Sequence, residues 1–218
     1  MKRKLLGALL ALVGLLLVGM FALGQANKVP PEAIRTKVIR TPALIERAWA
    51  LPAAAAFKHE LLSQSNPSVC GPSSLANVFR SLHEPAVSET MVLEGTGLCR
   101  TGVCFGGLTL DQLADVARRH TQHKVTVLRN LTPEAFQGEL RHSNDPKLRY
   151  TINFTRKAIF GAGGGHHSPI GGYLEPEDLV FVLDVNHDFG PWLVERSRLF
   201  AAMNTKDGDQ KRGMLRIE

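Results

Sequence analysis

"HHSPIGGYLEPEDLVFVLDV", residues 166–185, reads as two β-strands joined by a turn at Glu175-Pro176-Glu177-Asp178. In an antiparallel pair, residues equidistant from the turn lie opposite one another. With the turn centred on Glu175, His166 before the first strand faces Asp184 at the end of the second. A carboxylate beside an imidazole fixes its tautomer and stabilises its charged form. The Gly-rich approach at 161–165 lets the backbone come close to a ligand. Taken alone, the hairpin is better explained by a structural His–Asp pair, because ion pairs shift pKa values without being functional.

Around this hairpin the pattern is that of a sheet. "RYTINFTRKAIFG" alternates and is expected to be one strand, and "GMLRIE" a last strand, with a short helix at "SRLFAAMN" between them. The preceding half is helical. Thr41-Pro42 opens a helix carrying Leu44, Ile45 and Trp49, with Thr as cap. Leu75, Val78, Phe79 and Leu82 fall at i, i+3, i+4 and i+7, so a helix starts close to Cys70, with Pro72 in its first turn. "TLDQ" at 109–112 is a capping box that opens another helix. "HKVTVLR" reads as a strand and "TPEAFQGELRH" as a capped helix. Helices first and an antiparallel sheet later give an α+β domain, with N-terminal helices packed on a C-terminal sheet.

The 218 residues suffice for one domain with a substantial core, and 44% hydrophobic with 21% charged residues excludes a disordered chain. The net charge is +6, but Lys and Arg are scattered apart from the first four residues and 206–216. Without a basic stripe, no nucleic-acid partner is expected.

"MKRK" precedes twenty uncharged residues, 5–24, which is long enough to cross a bilayer. Signal-peptide cores run to about 7–15 residues. Ala22-Leu23-Gly24 and Gly24-Gln25-Ala26 nevertheless resemble cleavage triplets. Residues 1–24 are therefore read as a membrane anchor or signal peptide, 25–40 as a spacer and 41–218 as the folded domain. Either leader sends the domain across the membrane, so the protein is expected to be exported or periplasmic, tethered to the inner membrane by residues 5–24.

An exported chain forms disulfides. Cys99 and Cys104, in the Gly-rich "GLCRTGVCFGG", are disulfide candidates that leave Cys70 free. Two unpaired thiols or a two-ligand metal site are the alternatives, though two ligands are too few for a closed zinc site.

A helix N-terminus lowers a thiol's pKa. Cys70 alone is still more often a buried structural residue. Gln64, six residues upstream, changes the balance, because its amide can donate to an oxyanion forming on a carbonyl attacked by Cys70. Cys with an upstream Gln, followed by His and then Asp, is the order found in papain-like enzymes.

"QSNPSVCGPSS", "GGGHHSPIGGY" and "VLDVN" together resemble the phytochelatin synthase family, over roughly residues 41–217. The resemblance implies a papain-like cysteine protease fold and a γ-glutamylcysteine dipeptidyltranspeptidase acting on glutathione. It makes Cys70 the nucleophile, Gln64 part of the oxyanion hole, His166 the general base and acid, and Asp184 its orienter. His166 is preferred to His167 because the family's His lies between a Gly and one variable residue before Ser-Pro. Asn153 and Arg156 match a family strand that contacts the γ-glutamyl part, and Arg212 matches a second Arg near the end of the catalytic domain. A free α-carboxylate favours a bidentate Arg. His187 in "NHDFGPW" departs from the family, which has Arg there, and the plant enzymes' Cys-rich extension is absent.

The resemblance is to the short bacterial type, in which water is expected to compete with a second glutathione as acyl acceptor. No cofactor or protein-bound metal is expected, and heavy-metal ions enter only as thiolate complexes of the substrate. A homodimer is compatible with the sequence. The rival functions are a papain-like peptidase or amidase on another substrate, and a non-enzymatic membrane-tethered thiol and metal binder.

Overall fold

The computed structural model describes residues 28–218. The expected membrane segment and the first residues of the expected spacer lie outside that range. Among the described residues no helix is long and apolar enough to cross a membrane.

The helices are α1 Pro31–Thr36, α2 Pro42–Trp49, α3 Pro52–Ala55, α4 Cys70–Ser81, α5 Glu89–Leu93, α6 Leu110–His120, α7 Pro133–His142, α8 Arg156–Phe160 and α9 Arg196–Met203. The strands are β1 Val125–Arg129, β2 Arg149–Thr155, β3 Gly165–Leu174, β4 Leu179–Leu183, β5 Pro191–Glu195, β6 Lys206–Asp207, β7 Gln210–Lys211 and β8 Gly213–Ile217. Six of the strands form an antiparallel sheet in the order β1-β8-β2-β3-β4-β5. The α+β architecture is thus as expected, and the helix carrying Cys70 packs on β3 and β2.

Both faces of the sheet are covered, which explains the unbroken apolar run of β4. Leu179, Phe181 and Leu183 join α4 and α6 in one core, whereas Val180 and Val182 join α7, α8 and α9 in the other. The capping box at Thr109 and Gln112 forms with both reciprocal bonds. Thr41 occupies the N-cap of α2 but makes no side-chain bond there.

Three local expectations are corrected. The segment expected to be a spacer is, from residue 28 to 40, folded onto the domain. Its α1 starts at Pro31, Ile39 bridges Leu193 on β5, and Arg40 donates to the carbonyls of Ile34 (2.5 Å) and Phe189 (2.7 Å). The strand expected over "RYTINFTRKAIFG" stops at Thr155, where Arg156 N bonds Gly164 O at 2.9 Å and the chain turns into α8. Gly161, at φ 83°, then ends that helix in the left-handed conformation.

The third correction concerns the hairpin register. Leu174 pairs with Leu179, Tyr173 with Val180 and Gly172 with Phe181, but Ile170 pairs with Val182. The turn is therefore centred beyond Glu175, and Gly171 is an extra residue, a β-bulge. Without the bulge, Asp184 would share a face with His167, because a one-residue slip exchanges the faces of a strand. The bulge restores the parity: continued past Ile170, the register sets Asp184 across from Ser168, one pleat from His166 and on the same face.

The glycine pair makes this bulge feasible. A Cβ on Gly171 would lie 2.6 Å from Phe181 Cδ1. Gly172 has φ 147°, and its Cβ would lie 2.6 Å from both Asn144 Oδ1 and Leu51 Cδ1. Gly172→Ala is expected to cost about 3 kcal/mol through backbone strain and overpacking. Urea unfolding measures it, and a loss under 0.5 kcal/mol (approximate limit for an unfelt substitution) would count against the bulge as described.

Candidate active site

Cys70 is the first residue of α4 and follows an N-cap, Val69, that supplies no side-chain bond. Nearly every residue of this helix is buried, so its N-terminus is held rigidly against the start of β3. Cys70 is buried and is the free cysteine of the described residues. Cys99 and Cys104 form a disulfide.

His166 Nε2 lies 2.9 Å from Asp184 Oδ1, and both residues are buried. Asp184 also accepts from Arg156 Nη2 at 2.8 Å and Asn186 N at 2.9 Å, and its Oδ2 accepts from Trp192 Nε1 at 3.1 Å. Burial alone would push this carboxyl up. The positive charges of His166 and Arg156 and the hydrogen bonds from His166 and Asn186 hold it well below the usual carboxylate range.

Burial likewise would push the Cys70 thiol up. The His166 charge and hydrogen bond, the His167 backbone N–H and the Arg156 charge outweigh it and pull the thiol down. Burial and Arg156 press His166 down, and Asp184 and Cys70 outweigh both to hold it up. Both shifts favour the thiolate–imidazolium form of the pair, each charge supporting the other.

His167 takes a different part. It lies across from Asn153, on the opposite face of β3 from His166, and its Nε2 is 2.9 Å from Leu108 O. Burial pushes it down to about 4, so it is a neutral donor to that carbonyl. The structure thus brings His166, not His167, together with Cys70 and Asp184.

The pH profile of Cys70 alkylation by iodoacetamide is accordingly expected to have its midpoint below about 8.5, where an ordinary thiol titrates. His166→Ala should return the profile to the ordinary range. A wild-type profile with its midpoint at or above 8.5 would exclude the ion pair.

A cleft of about 1040 Å³ opens beside these residues. His166, Gln64, Arg156 and Gly163 to Gly165 line it from the sheet side, and Lys28, Ile34 and Arg40 line it from the N-terminal segment. Gln64 is held by its backbone N–H to Val185 O (2.8 Å), and its Nε2 donates to Asn66 O at 2.8 Å. One amide hydrogen remains for a ligand.

The three expected substrate residues sit near the site but are engaged with protein groups. Arg156 pairs with Asp184, its Cζ is 3.4 Å from the centroid of the Phe189 ring, and its buried Nη1 has no protein partner. Asn153 accepts from Arg212 Nη1 at 2.7 Å and donates to Asp207 at 3.0 Å, and Arg212 Nη2 is 3.1 Å from Asp207. The glycines near His166 admit protein as well as ligand. A Cβ on Gly165 would lie 2.5 Å from Arg212 Nη1, and one on Gly163 would lie 2.8 Å from Val29 Cγ2. His187 is at the surface beside Asp188, 3.0 Å away.

Trp192, Arg40, Phe189 and Asp207 were not foreseen from the sequence. Trp192 and Phe189 stood in the very run, "NHDFGPW", that departs from the family pattern. No group of three or more His, Cys, Asp or Glu among the described residues is arranged to hold a metal ion.

Comparisons with known proteins bear on the fold and on the family. By fold, the chain is similar to a putative C39-like peptidase from Bacillus anthracis, with a TM-score of 0.55 and 14% identity over 74% of this chain and 95% of that one. It is also similar to the peptidase domain of Streptococcus ComA, a bifunctional ABC transporter, with a TM-score of 0.50 and 13% identity over 72% of this chain and 96% of that one. The fold is therefore papain-like.

By sequence, it is 33% identical over 104 residues to glutathione gamma-glutamylcysteinyltransferase 3 of Lotus japonicus, covering 46% of this chain and 22% of that one. It is 23% identical over 175 residues to glutathione gamma-glutamylcysteinyltransferase of Schizosaccharomyces pombe, covering 73% of this chain and 42% of that one. The chain spans less than half the length of these curated relatives. The family profile described as phytochelatin synthase matches residues 24–214, which include Gln64, Cys70, His166 and Asp184, and so the chain belongs to the phytochelatin synthase family.

Proposed function

We propose that the protein is a thiol acyl-transfer enzyme that cleaves the Cys–Gly amide of glutathione. The observation that carries this is the Cys70–His166–Asp184 arrangement, in a chain of this family, whose His166 lines a cleft that also holds Gln64 and basic side chains. Lys28, Arg40 and Arg156 suit a peptide that carries two carboxylates at neutral pH. Asn153, Arg156 and Arg212 are proposed to hold its γ-glutamyl end.

In the proposed reaction the Cys70 thiolate attacks the amide carbon, and the oxyanion accepts hydrogen bonds from Gln64 and the Cys70 backbone N–H. The C–N bond breaks as His166 passes its proton to the glycine nitrogen. A γ-Glu-Cys thioester remains on Sγ. Water, losing a proton to His166, releases γ-Glu-Cys as a carboxylic acid; attack by the amine of a second glutathione instead gives a phytochelatin.

Hydrolysis is proposed to dominate, without a bound cofactor, with soft metal ions entering only as thiolates of the substrate. Export by residues 1–24, with tethering to the inner membrane by residues 5–24, is proposed for the location, and the Cys99–Cys104 disulfide suits an oxidising compartment. The test is incubation of purified protein with glutathione, followed by free-glycine assay and mass analysis of the peptide containing Cys70. Glycine release with a γ-Glu-Cys adduct on Cys70 is expected. No release, or release without the adduct, would overturn the proposal.

A further inference from the structure

Gln64 is placed by Asn66, and Asn66 is placed by the disulfide loop. The Asn66 carbonyl accepts from Gln64 Nε2 at 2.8 Å. Turned over, the Gln64 amide would set its oxygen against that carbonyl, so the bond selects which end of the amide lies there. Gln64 Oε1 is buried and has no partner of its own to hold it.

The Asn66 side chain reaches the other way. Its Nδ2 donates to Gly102 O at 2.9 Å, and its Oδ1 accepts from Ser68 Oγ at 2.6 Å and Ser68 N at 3.0 Å. Ser68 Oγ in turn accepts from Cys104 N at 2.9 Å. Gly102 and Cys104 belong to the loop closed by the Cys99–Cys104 disulfide. That loop buries little besides Cys104, and Phe105 beside it is 91% exposed. Its shape therefore depends on the covalent closure more than on packing.

We propose that Asn66 is a positioning residue that sets the Gln64 amide for the oxyanion, and that the Cys99–Cys104 disulfide acts on the reaction by holding Asn66. This rests on the oxyanion role given to Gln64 above. It separates two properties of the site. Acylation of Cys70 passes through an oxyanion and needs Gln64, whereas alkylation is a displacement that needs only the thiolate.

The test uses p-nitrophenyl acetate and iodoacetamide as probes on the purified protein. With the ester, Sγ takes the acetyl group, the C–O bond breaks and p-nitrophenolate leaves as a measurable burst. With iodoacetamide, Sγ takes the carbamoylmethyl group and iodide leaves. Cys70 is the one free thiol of the described residues when the disulfide is intact, and it remains so in a Cys99→Ser/Cys104→Ser variant.

Gln64→Ala is expected to slow the burst about 100-fold, within the range for loss of one oxyanion donor. Asn66→Ala and Cys99→Ser/Cys104→Ser should each slow it about 10-fold, a partial loss of the same donor. Asn66→Asp, which keeps the acceptor for Ser68 but loses the donor to Gly102, should behave like Asn66→Ala. Gln64→Ala/Asn66→Ala should be no slower than Gln64→Ala, because the two substitutions remove one effect. Iodoacetamide rates should stay within about twofold of wild type in all variants, as expected where the thiolate is untouched.

Unchanged bursts in the Asn66 and disulfide variants would overturn the proposal. So would parallel losses in burst and alkylation, since these mark a general loosening of the site. The ester contains no glutathione, so absence of glycine release by wild type would remove the proposed substrate while leaving these rates to decide the role of Asn66.

Discussion

Cys70→Ala is expected to lower glycine release from glutathione by about 10⁵-fold, the scale seen when a covalent nucleophile is removed from a preorganised site. The same substitution should leave the fold intact. Cys70 lies at the first position of α4, where no side-chain cap is lost, and alanine is well tolerated in a helix. The charge balance supports this. With the thiolate gone, burial and Arg156 act on His166 against Asp184 alone, so its titration should move down and the imidazolium is disfavoured. Thermal unfolding within about 4 °C of wild type, roughly 1 kcal/mol for a domain of this size, together with loss of turnover would identify Cys70 as the nucleophile. Turnover within tenfold of wild type would remove it from the mechanism. Movement of His166 is read from its ring protons by NMR, and an unshifted titration would mean that Cys70 is not its partner.

The elements with strong periodicity were legible in the sequence because local rules govern them. The helix from Cys70 and the capping box at Thr109 are of this kind, as is the hairpin after His166. The pairing of His166 with Asp184 followed from counting residues about an assumed turn centre, and it holds for a different reason. The true centre lies further along the chain, and the bulge at Gly171 offsets the change in face. Gly-Gly in "SPIGGY" was the available signal, since isolated glycines in strands mark bulges.

The N-terminal segment was read as a spacer from its prolines and polar residues. It docks through long-range partners, Leu193, Phe189 and Gly163, that no local pattern reveals. Arg156 illustrates the same limit. Its motif placed it near the site, but only the fold shows its guanidinium on Asp184, where it helps to keep the carboxylate charged.

Asp184→Asn is expected to produce two separable losses. Four donors converge on this carboxylate, from His166, Arg156, Asn186 and Trp192, and its side chain is fully buried. A neutral amide cannot accept all four, and its NH2 would meet a donor. His166 then loses the partner that fixes its tautomer and holds up its pKa, which is expected to cost about 10²–10⁴ in kcat. Arg156 becomes a buried cation without a counter-charge, expected to cost about 3–5 kcal/mol of stability, or a fall in Tm of roughly 10 °C.

The stability loss should depend on pH. Asp184 titrates lower in the folded state than in the unfolded state, so its carboxylate contributes fully above the unfolded value of about 4 and progressively less as pH falls toward the folded value. Wild type and Asp184→Asn should therefore differ most at neutral pH and converge in acid. The double variant Asp184→Asn/Arg156→Met removes the stranded charge and should recover most of the stability while remaining inactive, since His166 still lacks its carboxylate. Equal stabilities of wild type and Asp184→Asn across pH 3–7, an interval chosen around the unfolded carboxyl value of about 4, would show that the carboxylate does not hold Arg156. Recovery of activity in the double variant would show that Asp184 acts on the reaction only through Arg156, and not through the imidazole.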